Sequence, residues 1–83
     1  MPSPNVLLKQ WIVEALSYYS GQAHYLTVSK WIWEHRRQEL FDTGDMFYKW
    51  QYQIRWLALE LRKEGILVSA DESPSGTWIL GVD

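Results

Sequence analysis

The chain has 83 residues, 47% of them hydrophobic, with six Trp, five Tyr, two Phe, no Cys and a formal net charge of −2. That length holds one domain with one modest core, and the aromatic content argues against intrinsic disorder. The lack of cysteine excludes disulfides and thiolate metal sites. The acidic balance argues against a protein that coats nucleic acid indiscriminately through phosphate neutralisation.

Ser3-Pro4 predicts a helix start, with Ser as N-cap and Pro at the first helical position. From Asn5 to about Tyr19, Leu7, Leu8, Trp11, Ile12, Ala15, Leu16 and Tyr19 recur at helical spacing and form one apolar face. Lys9, Gln10, Glu14 and Ser17 fall on the other side. Ser20-Gly21-Gln22 ends this helix, with Gly21 at the left-handed cap position. Ala23 to Leu26 reads as a single edge strand.

Thr27 is the expected cap of a second helix, Val28 to about Leu40, with Val28, Trp31, Ile32 and His35 on its inner face. His35 has Glu39 one turn on, at the spacing of a side-chain pair. In the loop from Phe41 to Asp45, Thr43 and Asp45 are the N-cap candidates for a third helix. That helix is expected to run from Phe47 to Glu64 as one rod, with Phe47, Trp50, Ile54, Leu57, Ala58 and Leu61 on its core side. Gly65 stops it, and Arg62 and Lys63 in its last turn complement the helix dipole. Ile66 to Ala70 and Thr77 to Leu80 read as two strands around the turn Asp71–Gly76.

Helix, short strand, helix, helix, hairpin is the order of a winged helix-turn-helix: an α+β fold of three helices and a small antiparallel β-hairpin wing, spanning residues 1–83 as a single domain. Tyr52, Ile54, Trp56, Leu61, Lys63, Gly65 and Leu67, followed by Gly76 and Trp78, narrow the comparison. This pattern resembles the N-terminal winged-helix domain of Mrr-type restriction endonucleases, which shows Y-x-[VI]-x-W-x4-L-x-K-x-G-[LI]-[LI] and then G-x-W-x-[LI]. The match covers the C-terminal half, while the first half agrees in the order of elements only. The resemblance implies a DNA-recognition module. It does not imply cutting, because the D…E-x-K motif of the family's separate nuclease domain does not occur here.

Seven of the eight basic residues lie between Thr27 and Lys63, against five acidic ones. On a DNA-reading third helix the outward residues Tyr48, Lys49, Gln51, Tyr52 and Arg55 would meet the major groove: Arg suits guanine, Gln suits adenine, and Lys and Tyr reach phosphates. Lys30, Arg36 and Arg37, beside Trp33 on the second helix, suit the DNA backbone. The same residue types also describe an ordinary solvated helix face. The wing tip Asp71-Glu72 departs from a DNA-contacting wing, since carboxylates repel phosphates.

Tyr48, Tyr52, Trp56 and Leu59 form an apolar stripe opposite the predicted core side. It suits a protein interface, either a homodimer or a partner protein, including a phage-type inhibitor surface. The sequence therefore supports two alternative functions, the first of them favoured. One is double-stranded DNA binding, as a regulator or as the recognition component of a restriction-like system. The other is protein–protein interaction through the aromatic stripe.

His24 and His35, eleven residues apart with no carboxylate at ligand spacing, do not compose a metal site. No Ser–His–Asp or Cys–His arrangement and no glycine-rich phosphate loop can be assembled. The expectation is a protein that is not an enzyme, with no cofactor and no small-molecule substrate. With no apolar run of about 20 residues and no signal-peptide pattern in MPSPNVLLKQ, the expected location is cytoplasmic, away from membranes.

Overall fold

The protein, seen in a computed structural model that describes residues 3–81, is an α+β chain. Its helices are α1 (Pro4–Tyr18), α2 (Tyr25–Phe41) and α3 (Trp50–Lys63), and its strands β1 (Gln22–His24) and β2 (Thr77–Ile79). Two short 3-10 segments, Gly44–Tyr48 and Ala70–Glu72, complete the order.

The start of α1 is as the sequence predicts: Ser3 Oγ accepts from the Val6 N–H at 3.3 Å and Pro4 opens the first turn. At its end Ser20, with φ of 64°, takes the left-handed position, and the Gly21 N–H donates to the Leu16 carbonyl at 2.7 Å. Gly21 thus follows the left-handed cap residue; its own φ is also positive. Helix α3 closes in the same way through Gly65, with φ of 82°, and the Ile66 N–H donating to the Leu61 carbonyl.

Several expectations are corrected. The strand lies at Gln22–His24 rather than Ala23–Leu26, and α2 is capped by His24, not Thr27: His24 Nδ1 accepts from the Leu26 N–H at 3.1 Å. His35 does not meet Glu39. It is exposed, stacks on Trp31 with ring centroids 4.3 Å apart, and donates through Nδ1 to the Trp31 carbonyl at 2.9 Å. Neither Thr43 nor Asp45 caps the third helix, and Thr43 Oγ1 instead donates to the Leu40 carbonyl.

The third helix is not one rod. Phe47 and Tyr48 belong to the 3-10 segment, and Lys49, at φ −137° and ψ 7°, separates it from α3.

The sheet also differs from a simple hairpin. Strand β1 pairs antiparallel with β2, setting Ala23 opposite Trp78. On the other edge of β2, residues 66–70 contribute a bridge between Leu67 and Leu80, flanked by bonds from the Val68 N–H to the Ile79 carbonyl at 2.8 Å and from the Gly81 N–H to the Ile66 carbonyl at 2.7 Å. Beyond these contacts the first arm turns into the 3-10 segment that contains Asp71 and Glu72.

The core is where the periodicity places it. Leu8, Ile12 and Leu16 of α1, Val28 and Ile32 of α2, and Ile54 and Leu57 of α3 are all buried, with Leu67 and Trp78 closing the end of the helical layer. Helix α3 packs chiefly on α1. This places one long flank of α3 against α1 and leaves the opposite flank to face α2 and the turn before β2.

Candidate functional site

The flanks of α3 are chemically distinct. Towards α1, Gln53 donates to the Asn5 side chain, and Lys9 is held between Glu60 at 3.3 Å and Glu64 at 3.0 Å. The hydrogen bond with Glu64, then the interactions with Glu60, raise the Lys9 pKa above its ordinary value, with partial burial opposing them. Towards α2, the flank carries Gln51, Arg55 and Arg62, spaced so that one helical side presents all three.

Two adjoining grooves run along that second flank and share Tyr25, Tyr52 and Arg55. The first, of about 450 Å³, lies between α3 and the turn before β2 and is also lined by Trp56, Arg62 and Trp78. The second continues between α2 and the start of α3, past Lys30, Trp33 and Gln51. Arg55 holds its guanidinium 4.9 Å from the centre of the Tyr25 ring. Tyr25 is set in turn by its N–H donating to the Gly76 carbonyl at 2.9 Å and by the His24 ring stacked 4.5 Å away. Arg62 donates to the Thr77 carbonyl at 3.2 Å, while its Nε is buried with no acceptor among the described residues.

The charge of this surface is one-sided. Lys30, Arg55 and Arg62 line the two grooves, no acidic residue does, and none of the three has a carboxylate partner among the described residues.

The residues singled out by sequence are only partly brought together. Lys30, Gln51, Tyr52 and Arg55 share the groove. Arg37 lies at its margin, its guanidinium 5.2 Å from the Trp33 ring. Lys49 is exposed in the break before α3, and Tyr48 projects from the 3-10 segment. Arg36 is elsewhere: it turns to α1 and pairs with Glu14 at 2.8 Å and Glu39 at 3.3 Å, which corrects its placement beside Lys30.

The aromatic stripe is exposed as expected, with Tyr48 at 85%, Tyr52 at 63%, Trp56 at 52% and Leu59 at 41% of full exposure. Sequence reasoning missed Tyr25, read as strand, and Arg62, read only as a dipole partner. The seven-residue spacing of Arg55 and Arg62 was the available signal for the latter.

Among the described residues, no group of three or more His, Asp or Glu is placed to hold a metal ion, and no helix is long and apolar enough to cross a membrane. No protein-family model, curated protein or solved structure matches the chain.

Proposed function

We propose that this chain is a DNA-binding module of the winged-helix type, a regulator or the recognition component of a restriction-like system, as its resemblance to the N-terminal domain of Mrr-type endonucleases suggests. The observation that carries this reading is the pair of adjoining grooves lined by Lys30, Arg55 and Arg62 and by no acid among the described residues, within a chain whose net charge is −2. Cations left without carboxylates on one face are available to phosphates, and the release of counterions from DNA then drives association.

In this reading α3 approaches the major groove from Trp50 onward, with Gln51 and Arg55 towards base edges and Lys30 and Arg37 towards the backbone. The break at Lys49 moves Tyr48 and Lys49 off the helix proper, so that they meet phosphates from the preceding 3-10 segment. Asp71 and Glu72 do not line either groove, so their charge need not face phosphates.

Fluorescence anisotropy with a labelled duplex tests the proposal. Affinity is expected to fall steeply as salt rises, and Arg55→Ala to weaken binding by about 1–3 kcal/mol. No complex at low salt, or one indifferent to salt, contradicts it.

A second reading is supported by the exposed stripe of Tyr48, Tyr52, Trp56 and Leu59. Large exposed apolar surface is characteristic of protein interfaces, here with a second copy or a partner protein. A salt-insensitive complex lost on Trp56→Ala selects this alternative.

A further inference from the structure

Phosphate binding alone gives no work to the aromatic half of the same groove. Tyr52 and Trp56 stand in its wall with ring centroids 6.2 Å apart and planes at 66°, each more than half exposed. Tyr25 lies across from them, with Arg55 over its face. Arg62 lines the same space. Aromatic faces and guanidinium groups, with no carboxylate between them among the described residues, therefore border one groove of about 450 Å³. Its size falls within the roughly 300–1,000 Å³ that accommodates a small organic group.

Three kinds of anion divide according to whether they use the rings of this surface. A free phosphate engages the arginines and leaves the rings in water. Duplex DNA also leaves the rings unused, since its base faces are stacked on one another inside the helix. An unpaired nucleotide engages both, its phosphate on Arg55 and Arg62 and its base against Trp56 or Tyr52. Cationic grooves with interleaved aromatic platforms bind single strands in this way.

We propose that the groove between Tyr25 and α3 binds an unpaired nucleotide, so that the protein prefers DNA carrying a single-stranded segment (a gap, a fork or a frayed end) over continuous duplex. This assignment rests on the nucleic-acid reading above and names the ligand of the same site. At an unpaired segment, which offers no major groove to enter, Arg55 joins Arg62 on the flanking phosphates instead of meeting a base edge. Trp56 supplies the stacking face, and Tyr25 is a positioning residue that fixes the Arg55 guanidinium.

The test uses the full chain at low salt with three probes: a short thymine oligonucleotide, an abasic strand of equal length, and a blunt duplex. The thymine strand is expected to bind about ten-fold more tightly than the abasic strand, which keeps the phosphates and lacks the bases. It should quench tryptophan fluorescence, whereas the abasic strand should not. Trp56→Leu, which keeps an apolar side chain at a half-exposed position, should abolish the thymine advantage, and Trp56→Phe should restore most of it. Equal affinity for thymine and abasic strands, or tighter binding of the blunt duplex, overturns the stacking proposal and leaves DNA binding intact. Failure to bind any of the three overturns both.

Discussion

Lys9 on α1 and Arg36, which faces α1, each meet two carboxylates within 3.3 Å, whereas Lys30, Arg55 and Arg62, along the α2–α3 grooves, meet none among the described residues. The first region is a set of closed local circuits: each cation is outnumbered by the two carboxylates it meets, around a groove whose other walls include Val6, Trp11 and Leu61. The second leaves its cations open to an outside partner. Net charge hides this difference, since in a chain of −2 the charged residues that line these grooves are all cations, while acids are engaged on the other side. Exposed ion pairs contribute little to stability, so their chief effect here is on the field that each face presents.

The contrast can be broken or sharpened by substitution. The largest effect is expected from Ile54→Ala, because Ile54 is fully buried beneath both flanks of α3. It should cost about 2–5 kcal/mol in urea unfolding and weaken both regions together. Next comes Arg55→Ala, expected to reduce DNA affinity by about 1–3 kcal/mol with little change in stability. Arg36→Ala, on the carboxylate-paired side, should leave affinity unchanged. Equal losses from the two arginine variants would end the distinction.

Gly76→Ala reads the groove floor. At φ of 77° a Cβ is strained, and it would lie 2.7 Å from His24 Nε2. Thermal unfolding should report a loss of about 1–2 kcal/mol, with weaker binding as Tyr25 and Arg55 lose their support. Glu14→Gln removes a partly exposed pair and should cost under about 1 kcal/mol, with no change in affinity. The smallest effect is alkaline. The raised Lys9 pKa means that its ion pairs stabilise the fold fully below the unfolded-state value of about 10.4. Their contribution disappears as pH rises through the higher folded value, and Lys9→Met should remove that part of the alkaline transition.

The core could be read from the chain because burial leaves a period: Leu8, Ile12 and Leu16, or Ile54, Leu57 and Leu61, lie three or four residues apart and all are buried. Ser3 and Gly65 carry their own local chemistry and act as expected. The break at Lys49 left no such mark. Phe47 and Trp50 are three apart, a spacing that an α-helix and a 3-10 turn accommodate equally. His24 displaced Thr27 as cap because a ring nitrogen can accept the bond usually given to a hydroxyl.

The site itself was least legible. Arg55 meets Tyr25 across thirty positions of sequence, and Arg36 meets Glu14 across 22. Which cations are engaged and which are free depends on how the helices pack, and residue type alone carries no record of it.

The most direct measurement follows backbone amide NMR signals while DNA with a single-stranded overhang is titrated into the labelled protein. Shifts are expected to concentrate on Tyr25 to Trp33 and Gln51 to Arg62, leaving Val6 to Glu14 unmoved. Shifts centred on α1 and Ile66, or no shifts at low salt, would contradict the assignment of function to the open cations.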